Sequence, residues 1–166
     1  PYDNLVDRGL TSQNNHVKLN FYFMQADLKV TISGIKKHAA GYSGGAKAIL
    51  PGVSWINSIE YMHEELDWAG LGKIHHNTAR ECMEEAARMA NLDFSVNTIM
   101  NEKRHPIGIH AGDVVDAFRS AAKDAAVKYE TDMARDAADV VIVNTYPMTN
   151  QETGFGLANR TLREGG

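Results

Sequence analysis

The sequence predicts an α/β protein, a sheet with helices on both faces, on three observations. Apolar residues alternate with a period of two over residues 26–33 and 94–100, and form a near-continuous apolar run over 138–144. Stretches with helical spacing of apolar residues lie between these strands, which is the order of a sheet layered with helices. The chain has 166 residues, 43% hydrophobic and 23% charged, enough for one buried core and part of a second domain.

Taken in order, residues 1–15 read as polar and turn-rich, with Asn14 and Asn15 in a loop. Leu28, Val30 and Ile32 mark the first strand. A glycine-rich loop follows it directly, and a short helix from about Gly45 to Leu50 is stopped by Pro51 and Gly52. Val53, Ile56, Ile59 and Met62 recur every third residue and predict a helix that carries His63 at its C-terminal end. Asn77 suits an N-cap, and Ala79, Cys82, Met83, Ala86, Ala87 and Ala90 trace one apolar stripe behind it. Residues 94–100 form a strand, 101–105 a hairpin turn, and 106–110 the returning strand. Gly112 and Asp113 open a long helix with Val114, Val115, Phe118, Ala121, Ala122 and Ala125 facing inward. The run at 138–144 reads as a strand covered on both faces, the first of a second domain, so the expected units are 1–136 and 137–166.

Composition excludes several classes of function. A net charge of −4 argues against nucleic acid as a partner, since phosphate binding needs a basic face. No apolar run is long enough to span a bilayer, and the first residues lack the basic and apolar regions of a signal peptide. The single Cys82 rules out an internal disulfide framework and fits a reducing cytoplasm. The chain starts without methionine and ends in a turn-like Gly165-Gly166, so a fragment of a longer protein is expected. Composition and periodicity leave oligomeric state open.

The chemistry concentrates between His38 and His63. Gly41, Gly44 and Gly45 permit positive φ, and small residues at a helix start can present N–H groups to an anion. The loop has neither the Gly-Lys-Ser/Thr of a Walker A motif nor the spacing of a dinucleotide fingerprint. Lys47 sits just inside a helix start, where its charge opposes the macrodipole; a bound anion or a covalent role would explain it. His38 and His63 bracket the loop, and imidazole can take a proton near neutrality or ligate a transition metal. The chain offers no second cysteine and no His-x-x-x-His pair, so any metal here needs ligands from a cofactor. His16 and His105 read as solvated; His75 and His76 lie in a polar linker where adjacent positions point different ways, which disfavours a shared metal; and His110 is left open. From the residues alone, a metal-free module holding a phosphorylated metabolite or nucleotide on the glycine loop stands as an alternative.

The run from Gly41 through Ser43, Gly44, Gly45, Lys47, Pro51 and Gly52, preceded by Ala26, Asp27, Gly34 and His38 and followed by His63, His76-Asn77 and Ala111-Gly112-Asp113, resembles the catalytic domain of the nickel-pincer lactate racemase family. The resemblance covers residues from about Asp3 to Asn144 and implies a two-domain racemase-like architecture of which this chain holds the catalytic part and the start of a lid. It implies a nickel-pincer nucleotide, a pyridinium mononucleotide whose sulfur-bearing arms and ring carbon hold nickel. Lys47 would tether one arm as a thioamide, His63 would ligate nickel, and His38 would be a catalytic acid/base. Ser43, Gly44 and Gly45 would line the cofactor. The implied activity is racemisation or epimerisation of a 2-hydroxy acid by reversible hydride transfer, with cofactor-biosynthesis enzymes as partners. The family's Asp-His-Thr-Arg-Pro segment, with the second catalytic histidine, is expected upstream of Pro1. The interval from His38 to the glycines is one residue shorter than in the racemase, and the family's substrate-contacting glutamine and lysine have no clear counterpart after Tyr146-Pro147, so a sugar acid is as good a substrate as lactate.

Overall fold

The computed structural model describes residues 4–130, 138–144, 158–159 and 161–163. Two compact units divide the chain, Pro1–Tyr129 and Glu130–Gly166. The first begins with a hairpin of β1 (Leu5–Leu10) and β2 (His16–Asn20), in a stretch whose first 15 residues read as polar and turn-rich. Short-range composition hid it, because β1 carries a bulge between Asp7 and Gly9 that breaks the period-two pattern. Asn14 makes the turn in the left-handed region (φ 61°), consistent with the expected loop there.

A five-residue helix, α1 (Phe21–Gln25), leads to β3 (Val30–Gly34), followed by a small hairpin of β4 (Lys37–His38) and β5 (Gly41–Tyr42). Next comes a single 3-10 turn, Gly45–Ala48, then α2 (Ile56–Glu65) and α3 (Thr78–Met89). Strands β6 (Phe94–Met100) and β7 (Pro106–Gly112) and helix α4 (Val114–Lys128) complete the unit. Asn77 caps α3 by accepting from Arg80 N–H, and Asp113 caps α4 by accepting from Val115 and Asp116 N–H.

The main sheet is mixed, in the order β3-β6-β7, with β3 parallel to β6 and β7 antiparallel to β6. This is the α/β class read from the sequence. Helix α4 packs on one face through Phe118, Ala121, Ala122 and Ala125, which with Ile35, Tyr42 and Ile99 form one core cluster. A second cluster joins β2, the 3-10 turn, α2 and α3 through Val17, Leu19, Ile49, Leu50, Met62 and the expected α3 stripe, all fully buried.

Two expectations of burial are corrected. The strand read over 26–33 is β3, which begins only at Val30 and leaves Leu28 outside it, and its apolar residues point outward: Val30 is 44% exposed and Ile32 77%, whereas Thr31 faces inward. The inward face is polar because Thr31, Ser95 and Asn97 satisfy one another; Thr31 Oγ1 donates to Ser95 Oγ at 3.1 Å and Asn97 Nδ2 to the same oxygen at 3.2 Å. In the second unit, residues 138–144 form no strand; Ala138 makes one parallel bridge with Leu162, and Ile142 is 94% exposed. Residues 147–157, where a substrate-contacting glutamine and lysine had no clear counterpart, lie outside the described residues.

Candidate active site

The site is assembled on the loop that leaves the carboxyl end of β3, the position where ligands of α/β sheets are held. A buried arginine shapes it. Arg80, on the inner face of α3, is fully buried. Its guanidinium donates to three loop carbonyls: Nε to Ala40 O (3.2 Å), Nη1 to Gly44 O (3.3 Å) and Nη2 to Tyr42 O. Its flat face lies 4.1 Å from the Phe118 ring centroid, on α4. A planar fork whose donors are spread over three nitrogens satisfies three separated carbonyls of a tight turn at once, whereas a lysine has one nitrogen to place.

The glycines answer to this crowding. At Gly44 (φ +86°) an added Cβ would stand 2.6 Å from the Ile35 Cδ1, and at Gly45 (φ +56°) 2.9 Å from Phe118. The loop's donors are largely spent on the protein itself. Ser43 N–H donates to Lys36 O (2.8 Å), Gly45 N–H to Asn97 Oδ1 (3.0 Å) and Lys47 N–H to Gly44 O (3.3 Å). Ser43 Oγ donates to Gly34 O at 2.8 Å and accepts from Lys36 N–H at 3.0 Å. The helix expected to present N–H groups to an anion is one four-residue turn, so the loop is a scaffold more than an anion cradle.

What the scaffold presents is the side chain of Lys47, together with His38 from β4 and His63 from the last turn of α2. All three meet at Trp68, in the connection between α2 and α3. The His63 and Trp68 ring centroids are 4.9 Å apart with planes at 31°, and His38 lies 6.0 Å from the same indole. Lys47 Nζ stands 5.8 Å from the indole centroid. Among the described residues no carboxylate pairs with Lys47.

Hydrogen bonds assign the free ring nitrogens. His63 Nδ1 lies 2.8 Å from Ile59 O; a carbonyl only accepts, so in the neutral ring Nδ1 carries the proton and Nε2 keeps a lone pair. His38 Nδ1 accepts from Ala40 N–H at 3.1 Å, so in its neutral form the ring proton is on Nε2. Burial depresses the His38 pKa to about 4, helped by the positive charges of Lys47, Arg80 and His63. Burial also lowers Lys47, and the Arg80 guanidinium adds to the effect.

The His38 shift has a testable sign. The imidazole is neutral in the folded chain down to about pH 4, whereas an unfolded histidine protonates near 6.5, so its contribution to stability falls as pH drops between those values. In an NMR pH titration His38 should show a midpoint near 4, and Lys47→Met should move it upward. A midpoint near 6.5 in the unsubstituted protein would remove the electrostatic coupling inferred here.

Sequence reasoning singled out His38, Ser43, Gly44, Gly45, Lys47 and His63, and the structure gathers His38, Lys47 and His63 about one ring. It missed Arg80 and Trp68. An arginine between Ala79 and Cys82 on an otherwise apolar stripe was the available signal for the first; the second carried none. His110 is held elsewhere, by Ser120 (2.9 Å) and Asp124 (2.9 Å) between β7 and α4, and His16 pairs with Asp7 at 2.8 Å.

Comparison with known proteins gives a consistent set. Residues 1–69 match the lactate racemase N-terminal domain. The chain is 30% identical over 158 residues to a lactate racemase of Lactiplantibacillus plantarum, covering 89% of this chain and 37% of that protein. It is 30% identical over 115 residues to a lactate racemase of Thermoanaerobacterium thermosaccharolyticum, covering 66% of this chain and 27% of that one. The structure of the lactate racemase apoprotein from the latter organism superposes with a TM-score of 0.67 at 27% identity, over 74% of this chain and 30% of that one. A Thermotoga maritima protein shares the fold at a TM-score of 0.62 and 19% identity, over 82% of this chain and 40% of that one. The chain thus spans well under half the length of the curated relatives it matches.

Proposed function

This chain is related to the lactate racemases, through their N-terminal domain over residues 1–69 and in sequence over most of its length, and from that premise we propose that it supplies the cofactor-holding part of a nickel-dependent racemase or epimerase acting on a 2-hydroxy acid. The observation that carries the reading is the convergence of His38, Lys47 and His63, from three separate segments, on the Trp68 ring.

The residues fit a nickel-pincer nucleotide. His63 offers Nε2, and imidazole nitrogen suits nickel; the bond from Nδ1 to Ile59 O is the outer-shell contact that fixes a ligating histidine. Among the described residues no three His, Cys, Asp or Glu side chains gather to hold a metal, so nickel at His63 would take its other ligands from the group that carries it. Lys47 is the tether, an amine with no carboxylate partner among the described residues and a lowered pKa. Ser43, Gly44 and Gly45 shape the turn that delivers it. When bound, the nucleotide supplies the site that accepts and returns the substrate hydride.

His38 moves the hydroxyl proton. Its resting neutrality is the charge state a base requires, but Lys47, Arg80 and His63 oppose the second proton. Covalent attachment of the nucleotide would remove the Lys47 charge and with it one part of that opposition, while nickel held by His63 would act the other way. We take a reducing cytoplasm as the compartment on the single, buried Cys82; among the described residues no helix is long and apolar enough to cross a membrane. Enzymes that build the cofactor are the expected partners.

The test uses protein co-expressed with cofactor-biosynthesis enzymes and given single enantiomers of lactate and of sugar-derived 2-hydroxy acids. Chiral chromatography should find the opposite configuration at the hydroxyl carbon, and His63→Ala should lose both bound nickel and turnover. Dehydrated products would point to elimination, and full activity without nickel would overturn the proposal.

A further inference from the structure

Trp68 has no chemistry of its own to offer, yet it is more carefully held than a connecting residue needs to be. Its Nε1–H donates to Met62 O at 3.1 Å, one residue before His63. Just beyond it, Gly70 N–H donates to Ala39 O (3.0 Å) and Gly72 N–H to Gly41 O (2.8 Å), tying the segment to the hairpin that carries His38. Just before it, Asp67 N–H donates to Thr78 Oγ1 at 2.9 Å, on the first turn of α3. The indole is thus bonded to α2, and the backbone on either side of it is tied to α3 and to the β4–β5 hairpin.

We propose that Trp68 is a positioning residue of this site, orienting the His63 imidazole and covering the Lys47 amine. The inference rests on the reading of His63 and Lys47 as working residues. The bond from His63 Nδ1 to Ile59 O fixes one point of an exposed ring, about which the ring can still swing. The stacked indole, 4.9 Å away and tilted by 31°, takes away that freedom and keeps Nε2 facing outward. The same π system attracts the Lys47 ammonium at 5.8 Å, where no carboxylate among the described residues does so. One ring thereby sets the spacing between the metal-ligating nitrogen and the tethering nitrogen before any cofactor arrives.

The experiment needs neither cofactor nor turnover. Long-range 1H–15N spectra at pH 8 report which His63 nitrogen bears the proton, and mass mapping after brief treatment with an amine-acylating reagent reports the accessibility of Lys47. Trp68→Phe keeps a ring face and should leave both readouts near those of the unsubstituted protein. Trp68→Leu should free the His63 ring to swing about its Nδ1 bond, shifting and broadening the Nε2 resonance in those spectra, and raise Lys47 acylation about threefold. Unchanged values for a folded Trp68→Leu protein would overturn the proposal. Should that variant not fold, the unsubstituted protein decides: nuclear Overhauser contacts between the His63 and Trp68 rings, with ring-current shifts on the Lys47 ε-methylene, support the proposal, and their absence contradicts it. The racemase reading fails instead on nickel and products, so the two can be told apart.

Discussion

Replacing Arg80 with methionine is expected to cost on the order of 3–5 kcal/mol of folding stability, among the largest effects of any single substitution in the chain. The side chain is fully buried, and its three donors are the partners of the Ala40, Tyr42 and Gly44 carbonyls. Methionine fills much of the volume and removes the cost of a buried cation, which offsets part of the loss. It removes the guanidinium donor from all three carbonyls; Ala40 O keeps Tyr42 N–H and Gly44 O keeps Lys47 N–H, but the hairpin loses the bonds that tie it to α3. Burial already lowers the Arg80 pKa to about 10, so the folded protein holds this charge against a desolvation penalty that those bonds, the Glu84 charge and the Phe118 face offset. For a protein of this size the melting temperature should fall by roughly 10 °C. Arg80→Lys should recover less than half of that, since one ammonium cannot reach three diverging carbonyls. Thermal unfolding of the three proteins checks this, and an Arg80→Met melting temperature within about 2 °C of the unsubstituted value would contradict it.

The same arginine marks where sequence reading stopped. Periodicity found α2, α3, α4, β6 and β7, because each carries an apolar stripe or alternation and is bounded by a cap or turn such as Asn77, Asp113 or Asn101, although β7 keeps Ile107 and Ile109 exposed and β6 buries Ser95 and Asn97 beside Ile99. It missed β1, whose bulge at Gly9 breaks the alternation, and it misjudged β3. There the alternation was real but the buried side was the polar one, since Thr31 and Ser95 satisfy each other across the parallel pair. Whether a hydroxyl faces inward depends on a partner 64 residues away, which no local window contains.

The site was legible in its chemistry and not in its architecture. His38, Lys47 and His63 could be picked out by residue type, spacing and family resemblance. The glycines suggested a phosphate cradle, and the structure turns them into packing necessities under Ile35 and Phe118. Trp68 was invisible, because a partly buried tryptophan in a connecting segment is compatible with any number of surfaces.

The second large effect is the loss of the tether, and it tests the central claim directly. Lys47 combines a lowered pKa, a fixed position above Trp68 and the absence of any carboxylate partner among the described residues. Such an amine is a nucleophile at neutral pH to a greater extent than a solvated lysine. Lys47→Ala should abolish covalent attachment completely, whereas His38→Ala should retain it while losing turnover. The decisive measurement is intact-mass spectrometry of denatured protein after co-expression with the cofactor-biosynthesis enzymes. The account predicts a nucleotide-sized adduct that maps to Lys47 and is missing in Lys47→Ala; an adduct that survives Lys47→Ala, or none on the unsubstituted protein, would contradict it.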